Sequence, residues 1–216
     1  MAKKAQRVNK SGKQNKKHSK QLTYVVVACI IIVVCMFIYY WASIASTKFE
    51  YLGLNFQKTN EGNLVFYKSS VQITQADGKL FNYVLNLRND PRELDVPKFP
   101  IRFLKTNKTF ISINPDIGEC DDATLAFMTI GQFVGAMGID GKGAFANKSL
   151  ADEKQTPYVT CENSKTNTVL LFEAGNKTSI VKEGECYRIK IANCELVKAV
   201  EEIEVGAIAS ARGYIR

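Results

Sequence analysis

Four carboxylates in one short segment are the residues of this sequence most suited to chemistry: Asp116, Glu119, Asp121 and Asp122. If two of them faced one cleft, they would form the acid and base pair that hydrolyses a glycosidic bond. A structural role is the simpler interpretation, because a helical pattern begins directly afterwards and carboxylates stabilise a helix N-terminus. We therefore expect them to cap that helix, and a surface hydrolase is the alternative.

Other catalytic signatures do not occur in the chain. The single histidine, His18, lies in a lysine-rich N-terminal segment, which excludes a histidine-based triad and the common histidine-ligated metal sites from the remainder. The sequence contains neither a G-x-S-x-G nucleophile motif nor a phosphate-binding loop. We expect no cofactor, no metal and no catalytic residue.

Cysteine usage indicates an oxidising compartment. Cys29 and Cys35 lie inside an apolar run, and four more follow it: Cys120, Cys161, Cys186 and Cys194. An even number outside the apolar run predicts two disulfides. Of the three pairings, we expect Cys186–Cys194, across CYRIKIANC, and Cys120–Cys161, which would join the first helix to the next strand. The wide gaps between these cysteines argue against a zinc site.

The apolar run from Tyr24 to Ala42 has no charged residue. At 1.5 Å per residue, a helix of about 19 residues spans roughly 28 Å, close to the thickness of the hydrocarbon core. Aromatic residues that favour the membrane interface lie at its two ends: Tyr24, Tyr39, Tyr40 and Trp41. We predict a transmembrane helix within residues 23–45.

The net charge of +8 belongs to the N-terminal tail. Residues 1–22 contain no acid and eight basic residues: Lys3, Lys4, Arg7, Lys10, Lys13, Lys16, Lys17 and Lys20. The rest holds 29 − 8 = 21 basic and 21 acidic residues. This asymmetry predicts a cytoplasmic N-terminus and an extracytoplasmic domain over residues 46–216. The tail should be disordered and contact anionic lipid headgroups. Because no aromatic residue lies between its lysines, we expect that it does not bind nucleic acid.

A cleaved signal peptide is the alternative to a retained anchor. Small residues near Ala45 fit a peptidase site, and cleavage there would release a secreted domain. The length of the apolar run and the bulky residues Tyr39 to Trp41 favour the anchor.

The pattern over residues 46–216 predicts an α+β domain: a mainly antiparallel or mixed sheet with about two helices, stabilised by disulfides. A helix is expected over residues 123–137 and another over 195–205, where a strand is the alternative. Glu201, Glu202 and Glu204 are expected on the solvated face of that second helix. Residues 141–154 are expected to be a loop. The expected strands are 49–56 with a slip at Gly53, 64–67, 71–74, 80–87, 109–113, 158–161, 169–173, 179–181 and 186–191.

Three glycosylation sequons occur in this domain, at Asn107, Asn147 and Asn176. A composition rich in Asn, Ser and Thr produces such sequons by chance, so they are weak candidates for modification.

Several segments carry a resemblance: TPYVTC (156–161), NTVLLFEAGNKTSI (167–180) and CYRIKIANCELVKAVEEI (186–203), with RNDPREL (88–94) and IGQFVGAMGI (130–139). In pattern, they resemble uncharacterised single-pass membrane proteins of small-genome archaea. The resemblance implies an anchored, disulfide-bearing domain at the cell surface, and it implies no activity and no site residues.

The functional expectation is therefore a single-pass membrane protein with a non-catalytic binding or envelope-assembly domain. Its expected partners are the lipid bilayer and other membrane or envelope proteins. An adaptor acting in the cytoplasm through the basic tail is a further alternative.

Overall fold

The computed structural model describes residues 24–41, 47–104 and 108–216. They fall into two units, of which the first ends at Lys48 and the second comprises Phe49–Arg216. In the first unit, helix α1 (Tyr24–Trp41) is long and apolar enough to cross a membrane. The four aromatic residues of the predicted interface are exposed on α1. The basic tail and the junction around Ala45 lie outside the described residues.

The second unit begins with sheet A, an antiparallel meander of four strands in chain order. Its strands are β1 (Lys48–Tyr51), β2 (Leu54–Glu61), β3 (Leu64–Thr74) and β4 (Leu80–Leu87). A turn at Leu52 and Gly53, both with positive φ, separates β1 from β2, which agrees with the predicted slip. The two short strands expected over residues 64–74 form the single long strand β3, because Tyr67 through Thr74 pair continuously with β4.

Sheet B is mixed. Its strands are β5 (Thr109–Ile113), β6 (Gly141–Phe145), β7 (Thr168–Ala174), β8 (Ser179–Glu183) and β9 (Cys186–Ile191), in the order β6-β5-β7-β9-β8. The pairings β5–β6, β5–β7 and β7–β9 are parallel, whereas β8–β9 is an antiparallel hairpin. One antiparallel and one mixed sheet confirm the predicted α+β class.

In the described part of the second unit, three α-helices accompany the sheets: α2 (Ala123–Ala136), α3 (Lys148–Glu153) and α4 (Leu196–Ala211). The main core joins the inner face of sheet A, one face of sheet B, and both long helices. Rings from three of these elements meet there, with Tyr83 of β4 against Phe133 of α2, and Phe127 of α2 against Phe172 of β7. A smaller cluster around Val169 and Leu171 covers the other face of sheet B.

Several local predictions are wrong. Residues 141–154 form β6 and α3 instead of a loop, because the glycine-rich strand gains its stability from pairing with β5. Residues 158–161 contribute only an isolated bridge between Tyr158 and Phe145. Helix α4 continues past residue 205 to Ala211, since the core provides apolar neighbours along its whole length.

Two disulfides form as predicted, but the expected pairing is wrong. The bonds are Cys120–Cys194 and Cys161–Cys186. Cys186 begins strand β9, and Cys194 follows the end of that strand. An extended strand of this length separates its ends by roughly 17 Å, whereas the Cα atoms of a disulfide lie about 6 Å apart. Cys194 instead meets Cys120, so that one bond joins the segments that precede α2 and α4.

This pairing predicts two different losses of stability. Cys120–Cys194 and Cys161–Cys186 close segments of 74 and 25 residues. In the chain-entropy model, removing them lowers the free energy of unfolding by about 4.5 and 3.5 kcal/mol, respectively. Denaturant unfolding of the two double Cys→Ser variants measures these losses. Non-reducing peptide mapping that links Cys186 to Cys194 would contradict the assignment.

Candidate functional site

Helix α4 carries three buried carboxylates, Glu201, Glu202 and Glu204, whose exposed fractions are 2%, 1% and 1%. The prediction that they lie on a solvated face is wrong. Residues 205–209 (VGAIA) have no polar side chain, and a helix that is apolar on all sides is a buried helix. That run was the signal in the sequence that α4 lies inside the domain.

Two of these glutamates bind the backbone of the segment that connects the sheets, residues 88–104. Glu201 accepts hydrogen bonds from the Arg88 and Asn89 backbone N–H groups and from the Asn89 side-chain amide, the latter two at 3.1 and 2.8 Å. Glu202 accepts a bond of 3.1 Å from the Asp95 N–H. These carboxylates satisfy donors that a strand would have satisfied by pairing.

Hydroxyl groups bind the remainder of the same segment. Ser210 Oγ accepts from the Ile101 N–H at 3.1 Å. The Tyr187 hydroxyl accepts from the Arg102 N–H at 2.8 Å and donates to the Arg102 carbonyl at 3.0 Å. The Leu104 N–H donates to Thr168 Oγ1 at 3.0 Å. Side chains of α4 and sheet B thus fix a segment that contains no strand.

A close approach between α4 and this segment accompanies the hydrogen bonds. Glu202, Gly206 and Ser210 follow one another at intervals of four residues and therefore share one helical face. A Cβ atom at Gly206 would lie 3.0 Å from Ile101 Cδ1 and 3.4 Å from Val96 Cγ1. Gly206 is the residue that allows the connecting segment to lie directly against the helix.

Burial raises the pKa of all three glutamates. It raises that of Glu202 to about 7, although the Asp95 N–H and Lys198 act in the opposite direction. It raises that of Glu204 to about 8, against one hydrogen bond of 2.8 Å from the Tyr83 hydroxyl. For Glu201, the raising effect of burial is opposed by its donors at Arg88 and Asn89. Glu204 is therefore mainly protonated at neutral pH.

A cleft of about 770 Å³ lies beside the C-terminal end of α4. Its walls come from β3, residues 101–103, the end of α2 with the turn that follows it, and residues 207–212. Buried or half-buried apolar side chains form much of the lining: Ile73, Ile101, Phe103, Phe133, Met137, Ile139 and Ile208. Two guanidinium groups, Arg102 and Arg212, are the charged groups in the lining. This size and composition suit a small-molecule site.

The four carboxylates of residues 116–122 act separately. Asp116 accepts hydrogen bonds from the Ala174 N–H and the Asn114 side chain. Asp122 lies 3.5 Å from an Arg88 guanidinium nitrogen. Asp122 occupies the N-cap of α2, but its side chain makes no capping hydrogen bond there, so side-chain capping is wrong. Among the described residues, no three or more His, Cys, Asp or Glu side chains are grouped so that they could hold a metal ion.

Arg188 on β9 is the centre of a second charged cluster. Its guanidinium group pairs with Glu173, Glu183 and Glu162 at 2.9, 3.1 and 3.3 Å. The hydrogen bond between Arg188 and Glu183 raises the pKa of Arg188 and lowers that of Glu183. The pKa of Glu162 is lowered mainly by its hydrogen bond with Thr160, and Arg188 acts in the same direction. The cluster lies on the face of sheet B that also carries the Cys161–Cys186 disulfide, where it joins β7, β8 and β9.

The sequons differ in their surroundings. Asn107 lies outside the described residues. Asn147 is exposed, but its side chain caps α3 by accepting from the Leu150 N–H. Asn176 is exposed, whereas the hydroxyl of its sequon residue Thr178 is buried and bonded to Ala192.

Sequence analysis missed the residues of the cleft. Arg102 and Arg212 are far apart in the chain, and neither belongs to a recognisable motif. Only the packing of α4 between the connecting segment and the sheets brings them to one cavity.

Comparisons with protein families, curated proteins and solved structures find no match to this chain. The resemblance to archaeal membrane proteins therefore stays a prediction.

The buried glutamates predict that the domain loses stability as the pH rises. Their pKa values are higher in the folded state than the value near 4.5 of an ordinary glutamate, so the folded protein binds more protons than the unfolded chain between about pH 5 and 8. The free energy of unfolding should fall across that window by on the order of 6 kcal/mol. Chemical denaturation at each pH measures it. The pKa values of Asp90, Glu162 and Glu183 are lowered, so these groups change the free energy of unfolding only below this pH window.

Two isosteric variants separate the roles of the glutamates. Glu204→Gln removes the titrating group, so its stability should depend less on pH and should exceed that of the wild type at pH 8. Glu201→Gln removes acceptor capacity from three donors and should lower the free energy of unfolding by about 1–3 kcal/mol at neutral pH. Glu153→Gln, at an exposed position of α3, is the matched control. It should change neither the free energy of unfolding nor its dependence on pH. A wild-type stability that rises from pH 5 to pH 8 would contradict the assignment.

Proposed function

We propose that the chain is a single-pass membrane protein whose second unit lies outside the cytoplasm and binds a further component of the cell envelope. The orientation places the eight basic residues of the tail on the cytoplasmic side. Helix α1 serves as the anchor, and residues 49–216 as the binding domain.

The observation that carries the location is the state of the cysteines. All four cysteines outside α1 are paired in two disulfides. Such bonds persist in oxidising compartments, whereas the cytosol keeps thiols reduced. A domain joined to a membrane helix, with its cysteines paired, is typical of the extracytoplasmic side.

Binding is favoured over catalysis by the use made of the acidic residues. Glu201, Glu202 and Glu204 accept hydrogen bonds from groups of the domain itself. No carboxylate lines the cleft beside α4 in the part of the chain that the structure describes. Of residues 116–122, Asp116 lines a shallow depression beside Glu173 and Lys190, where it accepts a hydrogen bond from the Ala174 N–H. These positions favour a ligand site over a pair of catalytic acids.

Topology and redox state test the proposal together. In intact cells, external protease should digest the domain while an N-terminal epitope stays protected. The four domain cysteines should react with a maleimide only after reduction. Free labelling without reductant, or a protected domain, would contradict the proposal.

A tail variant makes the orientation test specific. Replacing all eight basic residues of the tail with Gln should produce a mixed or inverted population, because the positive-inside asymmetry is lost. A shuffled tail that keeps its eight basic residues is the matched control and should insert like the wild type.

The same tagged chain tests the secreted alternative. A retained anchor keeps the N-terminal and C-terminal tags on one membrane-bound polypeptide, whereas cleavage near Ala45 separates them. For the hydrolase alternative, turnover of glycosides that Asp116→Asn abolishes would replace the binding proposal.

A further inference from the structure

The cleft beside α4 combines an apolar lining with charge of one sign. Its apolar side chains are contributed by β3, α2, α4 and the connecting segment. The charged residues in its lining are Arg102 and Arg212, and Gln72 and Thr74 add an amide and a hydroxyl. This excess of positive charge is local, since the chain after the basic tail is neutral overall.

Neither arginine is neutralised within the domain. In the described part of the chain, no carboxylate lies within 4.0 Å of the Arg102 or Arg212 guanidinium group, although ten other ion pairs are formed. Arg212 donates one hydrogen bond of 2.7 Å to the Gly53 carbonyl, which leaves further N–H donors on the same group. Both arginines are exposed enough to meet a ligand.

The walls of the cleft are held in place before any ligand arrives. The backbone of Arg102 is fixed on both sides by the Tyr187 hydroxyl, and that of Ile101 by Ser210. Phe133 and Ile139 are buried in the core. A preformed apolar wall lowers the entropic cost of binding.

We propose that this cleft binds a single-chain amphiphile with one anionic group. Its alkyl chain packs against the apolar wall, and its carboxylate pairs with Arg102 and Arg212. This names the ligand class for the binding function proposed above and rests on that function. Guanidinium groups recognise carboxylates through paired N–H donors.

The volume of the cleft favours one chain over two. At about 30 Å³ for each heavy atom, the scale of a water molecule in the liquid, 770 Å³ holds about 25 heavy atoms. A long-chain fatty acid has about 20 heavy atoms and a diacyl phospholipid about 50, so that only the former fits.

Photocrosslinking in a bilayer tests the site. The full chain is placed in phosphatidylcholine nanodiscs, equilibrated with palmitic acid that carries a diazirine on its alkyl chain, and irradiated. Peptide mapping should find the label in residues 101–103, 133–139 and 207–212. Label in α1, from probe dissolved in the bilayer, is the internal reference. Label in α1 and at no cleft residue would overturn the proposal.

Variants of the arginines test the anionic group. Arg102→Gln combined with Arg212→Gln should lower the cleft label about tenfold or more relative to α1, since a bond to a charged group contributes about 1.5–3 kcal/mol. The corresponding Lys variant keeps the charge but loses the paired donors, so it should keep more label than the Gln variant and less than the wild type. Lys142→Gln combined with Lys148→Gln removes equal charge from exposed residues of β6 and α3, and should leave the label unchanged.

Two further probes use only the wild-type chain, so they do not depend on how a variant folds. The methyl ester of the same probe should lose cleft label as the Gln variant does. A diacyl phosphatidic acid with the same diazirine should label α1 alone. Equal cleft label from acid and ester would overturn the role of the arginines, and cleft label from the diacyl lipid would overturn the single-chain ligand. Purified protein gives these results whichever side of the membrane the domain occupies, so they are independent of the topology test.

Discussion

The backbone of residues 88–104 needs hydrogen-bond partners inside the domain, and the rest of the fold depends on how it obtains them. This segment leads from sheet A to sheet B, and several prolines along it exclude a regular strand. An unpaired N–H group in the interior costs as much as a lost hydrogen bond. Carboxylates of α4 and hydroxyls of α4 and sheet B supply the acceptors.

This solution has an electrostatic cost. Three glutamates on one buried helix must be desolvated, and desolvation raises their pKa values. Glu201 is compensated by three donors, whereas Glu204 has one from Tyr83. The donors to Glu201 therefore partly offset the effect of burial on its pKa, whereas Glu204 is suited to hold a proton. Glu204 connects α4 to β4 of sheet A, and Glu201 connects α4 to the residues that follow β4.

The same contacts shape the cleft. Ser210 and Gly206 bring the connecting segment onto α4, and Tyr187 fixes the backbone of Arg102 at the cavity wall. The two disulfides act at other places, before α2 and α4 and on the far face of sheet B. The two disulfides around the core and the hydrogen bonds within it therefore both contribute to the stability of the domain.

The sequence by itself determined the features that depend on local order. A charge-free run of membrane length, the strands β4, β5 and β9, the helix α2 and the presence of two disulfides follow from composition, period and turn residues. Each of these features depends on residues that are close to one another in the chain, so the local sequence pattern is enough to predict it.

Only the tertiary structure decided the pairing of the cysteines, the burial of Glu201, Glu202 and Glu204, and the position of Arg102 and Arg212 in the lining of one cleft. Strand β9 holds Cys186 and Cys194 apart, but only the folded chain shows that Cys194 meets Cys120 and that Cys186 meets Cys161. The glutamates appear in sequence as an ordinary charged helix face, because their partners lie more than a hundred residues away. Hydrogen bonds between distant segments leave no periodic pattern, so the interior of this domain could be known only after the segments were brought together.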